Sequence, residues 1–458
     1  MALSKRLRIA STVLGAMIAI MGSDVQPIQA QPAPQPAAAN SDLQRQYDDA
    51  FQEMLRQPAN LDVLFKFASL ANQIGDLEGA VSALERMLLI DSNLPRVRLE
   101  LGVLYYRLGS YEVARTYLEA ALKSPNLPAE VRAKAQDYLK QVQTQAKKST
   151  FSGEFFLGWR YQSNANLGPA TSTVQLFGQS ANLNQSALGT ADWGIVGTAT
   201  IRHRYDFGQQ DKSALETQLF FYGNRQFNVQ AANVTLIDLT SGPRFQIFNG
   251  TFEDFTVKPL VDFGYIWVAD WPYYASVAGG VESNVLLGNG FRNISSWIWR
   301  RQDNQDNDYL PTNSQYRGTG QTFNTVFQYE LTPTVAVSAN GTAQRFEADI
   351  APWQSFYLYG IGGTFAFRFD DPVLKTGQAW TVTLSLNEQW WSYDQPDPTI
   401  DPNTMRYQTD TILNVVLSIP FDDRTNFNLS GGRFVRDATV SNYTFVNNSV
   451  LFGVSWRF

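Results

Sequence analysis

Histidine is the side chain most often recruited for acid–base work at neutral pH, and this chain of 458 residues has one, His203. Ala199, Ile201, His203, Tyr205 and Phe207 share one parity; Thr198, Thr200, Arg202, Arg204 and Asp206 share the other. A base serving a serine nucleophile must sit on a polar, accessible face. His203 instead falls in with Ile201 and Tyr205, close to a turn at 208–212, so it reads as an interfacial structural residue. The acid pairs Asp370-Asp371 and Asp422-Asp423 sit among turn-forming residues rather than as a spaced hydrolytic pair. Asp303, Asp306 and Asp308 cluster in a loop but lack the glycine and distal glutamate of a helix–loop–helix calcium site. No glycine-rich phosphate loop precedes a helix. Absence of cysteine excludes disulfides, thiolate metal sites and thiol nucleophiles. The expectation is no enzyme, no catalytic residue, no cofactor and no metal.

The remaining chemistry is charge. Arg160, Arg202, Arg204, Lys258, Asp262 and Glu330 all lie on the polar parity of alternating segments. Such residues could select what passes through a pore, or close it by pairing.

The elements that carry them are strands. Phe155, Leu157, Trp159 and Tyr161 oppose Phe156, Gly158, Arg160 and Gln162. Val257, Val261, Phe263, Tyr265 and Trp267 oppose Lys258 and Asp262, and Phe323, Phe327, Tyr329 and Leu331 oppose Thr322, Asn324, Gln328 and Glu330. Trp380, Val382, Leu384 and Leu386 oppose Thr381, Thr383, Ser385 and Asn387. Period two is strand periodicity. One face is too polar for a packed core and the other too apolar for water; a polar lumen with a lipid-facing outside satisfies both. Long polar loops at 163–191, 303–317 and 394–405 alternate with short turns at 208–212, 288–290, 332–333 and 420–424. The fold class predicted is helices followed by an antiparallel transmembrane β-barrel of about 14 strands over 150–458, with Gly242 to Phe252 poorly patterned. Aromatics at strand ends (Tyr205 and Phe207; Trp390, Trp391 and Tyr393; Trp456 and Phe458) suit interfacial girdles. The last strand places Val450, Phe452, Val454, Trp456 and Phe458 on one face. That terminal aromatic strand resembles the signal by which bacterial outer-membrane barrels are recognised by the barrel-assembly machinery.

Lys5, Arg6 and Arg8 precede an apolar run, Ile9 to Met21, and small residues end near Ala30. Residues 1–30 therefore read as a secretory signal peptide, and 31–40 as a Pro/Ala-rich leader. Residues 41–148 carry a repeat: Gly75 recurs as Gly109, Ala80 as Ala114 and Leu84 as Leu118. With Leu101, Gly102, Tyr105, Tyr111 and Ala121, the second copy resembles the tetratricopeptide repeat. By that resemblance, a groove would be lined by Asp62, Phe65, Ser69, Asn72, Arg96, Leu99, Val103 and Tyr106. Net charge is −6 with no basic tract beyond the first residues, so nucleic acid is not an expected partner.

Gly158-Trp159-Arg160-Tyr161-Gln162-Ser163-Asn164-Ala165-Asn166 is similar to the segment opening the barrel of the surface lipoprotein assembly modifier family, with Gln162 where an acidic residue is usual. The whole order of parts resembles that family. The resemblance implies an outer-membrane translocon, its helical domain in the periplasm, delivering a surface lipoprotein or small secreted protein. Its partners would be membrane lipid, a protein client and a periplasmic chaperone. The same order of parts occurs in polysaccharide exporters, and a passive porin or a barrel enzyme would also be built on such a barrel.

Overall fold

The computed structural model describes residues 40–124, 127–145, 148–208, 213–247, 252, 254–288, 290–374 and 377–458. The segment expected to be a signal peptide and the expected leader up to residue 39 lie outside them. The chain divides into two compact units, one of helices and one of strands from Thr150 onward.

The helical unit runs α1 (Asn40–Arg56), α2 (Leu61–Ile74), α3 (Leu77–Ile90), α4 (Pro95–Arg107), α5 (Tyr111–Leu122) and α6 (Ala129–Gln145). Asn60 caps α2 by accepting from Asp62 and Val63 N–H, and Asp76 caps α3 by accepting from Gly79 N–H. Gly75 and Gly109, with φ of 93° and 74°, adopt the left-handed conformation that ends α2 and the turn after α4. Gly102 lets α4 and α5 meet: a Cβ there would lie 2.6 Å from Leu118 Cγ. Ala80, Ala114, Leu118 and Ala121 are fully buried between helices. Tyr105 and Tyr117 hydroxyls both donate to Glu85, at 2.7 and 3.2 Å. Burial, together with that carboxylate, holds the Tyr105 hydroxyl well above its usual pKa, so it remains a donor.

The strands of the second unit are β1 (Ser149–Gln162), a small hairpin β2 (Thr173–Leu176) and β3 (Gln179–Asn182), then β4 (Asp192–Asp206), β5 (Ala214–Gln226), β6 (Val234–Gln246), β7 (Asp254–Val268) and β8 (Trp271–Leu286). They continue with β9 (Arg292–Asp303), β10 (Gly318–Thr332), β11 (Val335–Ala348), β12 (Phe356–Phe369), β13 (Trp380–Tyr393), β14 (Tyr407–Pro420), β15 (Thr425–Ala438) and β16 (Phe445–Arg457). Fourteen of them close into one antiparallel barrel in chain order, β1 pairing with β16. The expected strand number and parity hold. Leu157, Trp159, Val261, Phe263, Phe323, Leu386 and Trp456 are exposed outside, forming an apolar belt. A closed antiparallel barrel with that exterior is the form in which strands cross an outer membrane, since it leaves no unpaired edge in lipid.

The long loops gather at one end, with the two-residue β7–β8 turn among them, and the other end carries shorter connections, the longest joining β12 to β13; β1 begins at this turn end. The weak pattern after Gly242 has a cause. Pairing of β6 with β7 lapses between Ser241/Val261 and Phe245/Val257, where Gly242 faces the Pro259 carbonyl. Trp391 and Tyr393 correct the girdle assignment. They point inward, packed against Phe346, Phe356 and Leu358. Trp390 keeps the outward parity.

The β1–β16 seam carries an outer aromatic ladder: Phe155 stacks on Trp456 and Phe458, and Trp159 on Phe452. Replacing Trp456 and Phe458 together by Ser should remove contacts worth about 0.5–1.5 kcal/mol per ring pair. The expected result is a lower folded fraction by heat-modifiable gel migration of membrane extracts. In the helical unit, Gly102→Val should destabilise by about 1–3 kcal/mol through overpacking against Leu118. Thermal melting of the helical circular dichroism signal measures it.

Candidate functional site

The inward face of the barrel is the site. Its loop-end half is packed. Val196, Tyr222, Val234, Leu236, Ile266, Val268, Tyr273 and Tyr274 form an apolar cluster that Leu310, from the loop between β9 and β10, joins. That loop is stapled by Asn304 and Asn313, whose side-chain amides both donate to the Tyr273 carbonyl, at 3.2 and 2.5 Å. The β2–β3 hairpin reaches across the same end. Gln175 N–H donates to Asn442 Oδ1 at 2.7 Å, and Phe177 and Gly178 N–H donate to the Thr399 and Ile400 carbonyls at 3.1 and 3.0 Å. Asn164, of the segment that opens the barrel, accepts from Gly168 N–H at 2.8 Å and donates to its carbonyl at 2.9 Å. Arg406 lies 3.2 Å from the Tyr393 ring centroid and 4.3 Å from that of Tyr443, a cation held between two aromatic faces.

Toward the turn end the lumen opens into a cavity of about 920 Å³. Its lining runs from the turn residues Thr332, Pro333, Gln378 and Asp422 to Ala165, Leu167 and Ala232 beneath the loops.

All six expected lumen residues lie on inward parity. Arg160 and Glu330 line the cavity. Arg202 donates to Gln218 at 3.1 Å. Arg204 pairs with Glu216 at 3.1 Å and Lys258 with the same carboxylate at 3.5 Å. Asp262 pairs with Arg300 at 2.7 Å and accepts from Thr240 at 3.0 Å. The pairing partners escaped the sequence reading. Arg244 bridges Glu216 and Glu282, at 2.9 and 2.6 Å. Arg436 and Asp410 form a bidentate pair, both bonds 2.6 Å, with side chains 3% and 0% exposed. Inward parity on β5, β6, β14 and β15 was the available signal. Cross-strand register, which decides who meets whom, is not written in any one strand.

His203 shares the outward parity, its ring 4.5 Å from that of Phe151. Asp371 and Asp422 are turn residues: Asp371 accepts from Val373 and Leu374 N–H, Asp422 from Arg424 and Thr425 N–H. Those bonds hold the Asp422 carboxyl below its usual pKa. Asp306 is engaged by Ser314.

On the helical unit, the groove expectation is corrected in part. Leu99 and Val103 are 2% and 9% exposed, packed with Ala121, Ala135 and Val142 of α5 and α6. Tyr106 packs against Tyr111 and Tyr138. Asp62, Ser69 and Arg96 remain exposed, Phe65 and Asn72 half-buried. Arg96 lies over the Phe65 ring at 5.6 Å, and Arg107 donates to Asn72.

No family model matches the chain, and no curated protein matches it. Among solved structures, the barrel is similar to a loop-deletion mutant of OmpT, an outer membrane protein of Vibrio cholerae. Identity is 9% and TM-score 0.34, with 68% of this chain and 100% of that one covered. The TPR domain of P58(IPK) is 19% identical over 23% of this chain and 29% of its own length, with TM-score 0.21. PcrH in complex with the chaperone-binding region of PopD is 17% identical, covering 23% of this chain and 86% of that one, TM-score 0.21. The chain thus spans under a third of the P58(IPK) structure. A membrane-spanning barrel with a polar lumen suits transport of polar solutes, as in a porin.

The Arg436–Asp410 pair yields a direct test. Arg436→Leu leaves a buried carboxylate without its cation and should cost about 3–5 kcal/mol. Adding Asp410→Leu should restore much of that loss. Urea midpoints of heat-modifiable migration compare the three proteins.

Proposed function

We propose that this protein is an outer-membrane secretion conduit: the helical unit, facing the periplasm, receives a client, and the barrel carries it outward. The observation that carries the reading is the union, in one chain, of a closed barrel whose cavity is lined in part by turn-end residues and a helical unit on which Asp62, Ser69 and Arg96 are exposed. Support for the periplasmic side comes from connectivity, because β1 starts at the short-turn end and outer-membrane barrels keep their short turns in the periplasm. Support for a protein client comes from Phe65, Ser69, Asn72 and Arg96, an aromatic, hydroxyl, amide and cation set suited to an extended peptide. The client is a surface lipoprotein or small secreted protein, a periplasmic chaperone is a further partner, and no covalent chemistry is involved.

Deletion of the gene tests this. Expected is loss of one protein from the surface or medium with its periplasmic pool retained. A surface and medium unchanged in both protein and polysaccharide would reject secretion altogether. Loss of polysaccharide with an unchanged surface proteome would replace the protein client by a glycan.

A further inference from the structure

The two walls of the lumen differ in chemistry. On β4 to β9 most ions are paired with each other, Glu216 with Arg204, Arg244 and Lys258, Glu282 with Arg244, and Asp262 with Arg300, while Arg202 and Arg292 donate to the side-chain oxygens of Gln218 and Asn284. Charge there is consumed by the wall. The residues that line the cavity balance as well, three arginines (Arg160, Arg368, Arg457) against three carboxylates (Glu330, Asp422, Asp423). Four of these six lie at strand ends or turns of the turn end.

Between those ends the residues of β11 to β16 that line the cavity are uncharged, the Asp410–Arg436 pair lying buried in the loop-end layer. Asn340, Asn387, Asn414, Asn428 and Asn447 face the cavity, interleaved with serine and threonine. The amides are arranged, not scattered. Asn340 Nδ2 donates to Asn387 Oδ1 at 3.1 Å across Gly362, where a Cβ would come within 2.0 Å of Asn387 Oδ1 and 2.7 Å of Asn340 Oδ1. Gly432 similarly makes room between Asn414 and Ser449; a Cβ there would lie 2.8 Å from Asn414 Oδ1. Asn428 accepts from Ser418 and donates to Ser455, and Asn447 donates to Gln162. An amide carries two donors and two acceptor lone pairs, more than these bonds use.

We infer that the lumen is a binding track for an uncharged, polyhydroxylated chain, that is, a neutral oligosaccharide. Sugar hydroxyls both donate and accept, as amides and hydroxyls do. A wall without net charge replaces their hydration bond for bond but cannot compensate a shed hydration shell around an ion. Phe434 and Tyr222 add apolar surface in the same cavity for sugar faces. The inference rests on the conduit reading in taking the lumen as the path, and adds a neutral oligosaccharide to the protein client as a substance that path accepts.

The full-length protein in detergent micelles is titrated calorimetrically with maltoheptaose, with an oligogalacturonate of equal length, with a chitosan oligomer, and with a peptide of Gly, Ser and Asn. Maltoheptaose should bind, the oligogalacturonate and the chitosan oligomer should not, and the uncharged peptide, which shares the amide and hydroxyl chemistry of the wall, should bind more weakly than maltoheptaose. Asn387→Asp with Asn414→Asp places carboxylates on the neutral wall and should weaken maltoheptaose about tenfold or more. Asn387→Gln with Asn414→Gln keeps the amides and should retain binding within about threefold. Heat-modifiable migration verifies each barrel; if the Asp variant does not fold, the selectivity of the wild type among the four probes decides. No maltoheptaose binding, equal binding by a folded Asp variant, or preference for the peptide or a charged oligomer overturns the inference. Those results leave the deletion phenotype untouched. Conversely, maltoheptaose binding with an unchanged surface and medium would remove the secretion reading alone.

Discussion

In a bilayer there is no water to satisfy a backbone amide, and every strand edge must find a partner strand. The rest of this molecule depends on that constraint. Fourteen strands meet it by closing β1 onto β16, from Glu154 opposite Arg457 to Gln162 opposite Ser449. Closure fixes parity, because side chains alternate along every strand. The outward set becomes aliphatic and aromatic. The Phe155, Trp456 and Phe458 rings stack over the join on the lipid side. The inward set is thereby freed from meeting lipid and can be polar.

Freedom from lipid does not mean a uniform lumen. At the loop end Tyr222, Leu236, Ile266 and Val268 bury one another together with Leu310, and Leu358 packs in a second cluster with Phe346, Phe356 and Trp391. Loops that would otherwise expose backbone find partners in the hairpin of β2 and β3 and in asparagines such as Asn304 and Asn442. Arg436 and Asp410 sit in this layer fully desolvated, which is tolerable only because the pair is bidentate. Toward the turn end the same inward parity carries amide and hydroxyl side chains such as Asn414, Asn428 and Ser418, and they line open space instead of a core.

What was legible follows from which signals are local. Alternation is local, so Phe263 outside and Asp262 inside could be read from neighbours in the chain, as could the glycine turns at Gly75 and Gly109. Pairing across strands is not. Lys258 and Asp262 were evident as lumen charges, but Glu216 and Arg300 as their partners depend on a register set by the whole closed sheet. Trp391 and Tyr393 misled because aromatics near a strand end suggest a membrane girdle. Their own parity, shared with Gln389 and Asn387, pointed inward. Leu99 and Val103 misled for a different reason. The face of α4 that the resemblance assigned to a groove packs instead on α5 and α6.

Pairing also decides what the lumen presents to a solute. An unpaired arginine in a narrow lumen is a binding site for anions, and a row of them would make the pore selective for charge. Arg204, Arg244 and Arg300 each have a carboxylate within 3.1 Å, so their fields largely cancel within the wall. The cavity itself keeps Arg160, Arg368 and Arg457 with Glu330, Asp422 and Asp423, and away from these its surface is the amide and hydroxyl dipoles of β11 to β16. Amides and hydroxyls both donate and accept, so the inferred saccharide track would meet sugar hydroxyls in either sense. A lumen can therefore contain many ionised residues and still present one uncharged wall, here the run of Asn387, Asn414 and Asn428 between its charged turns.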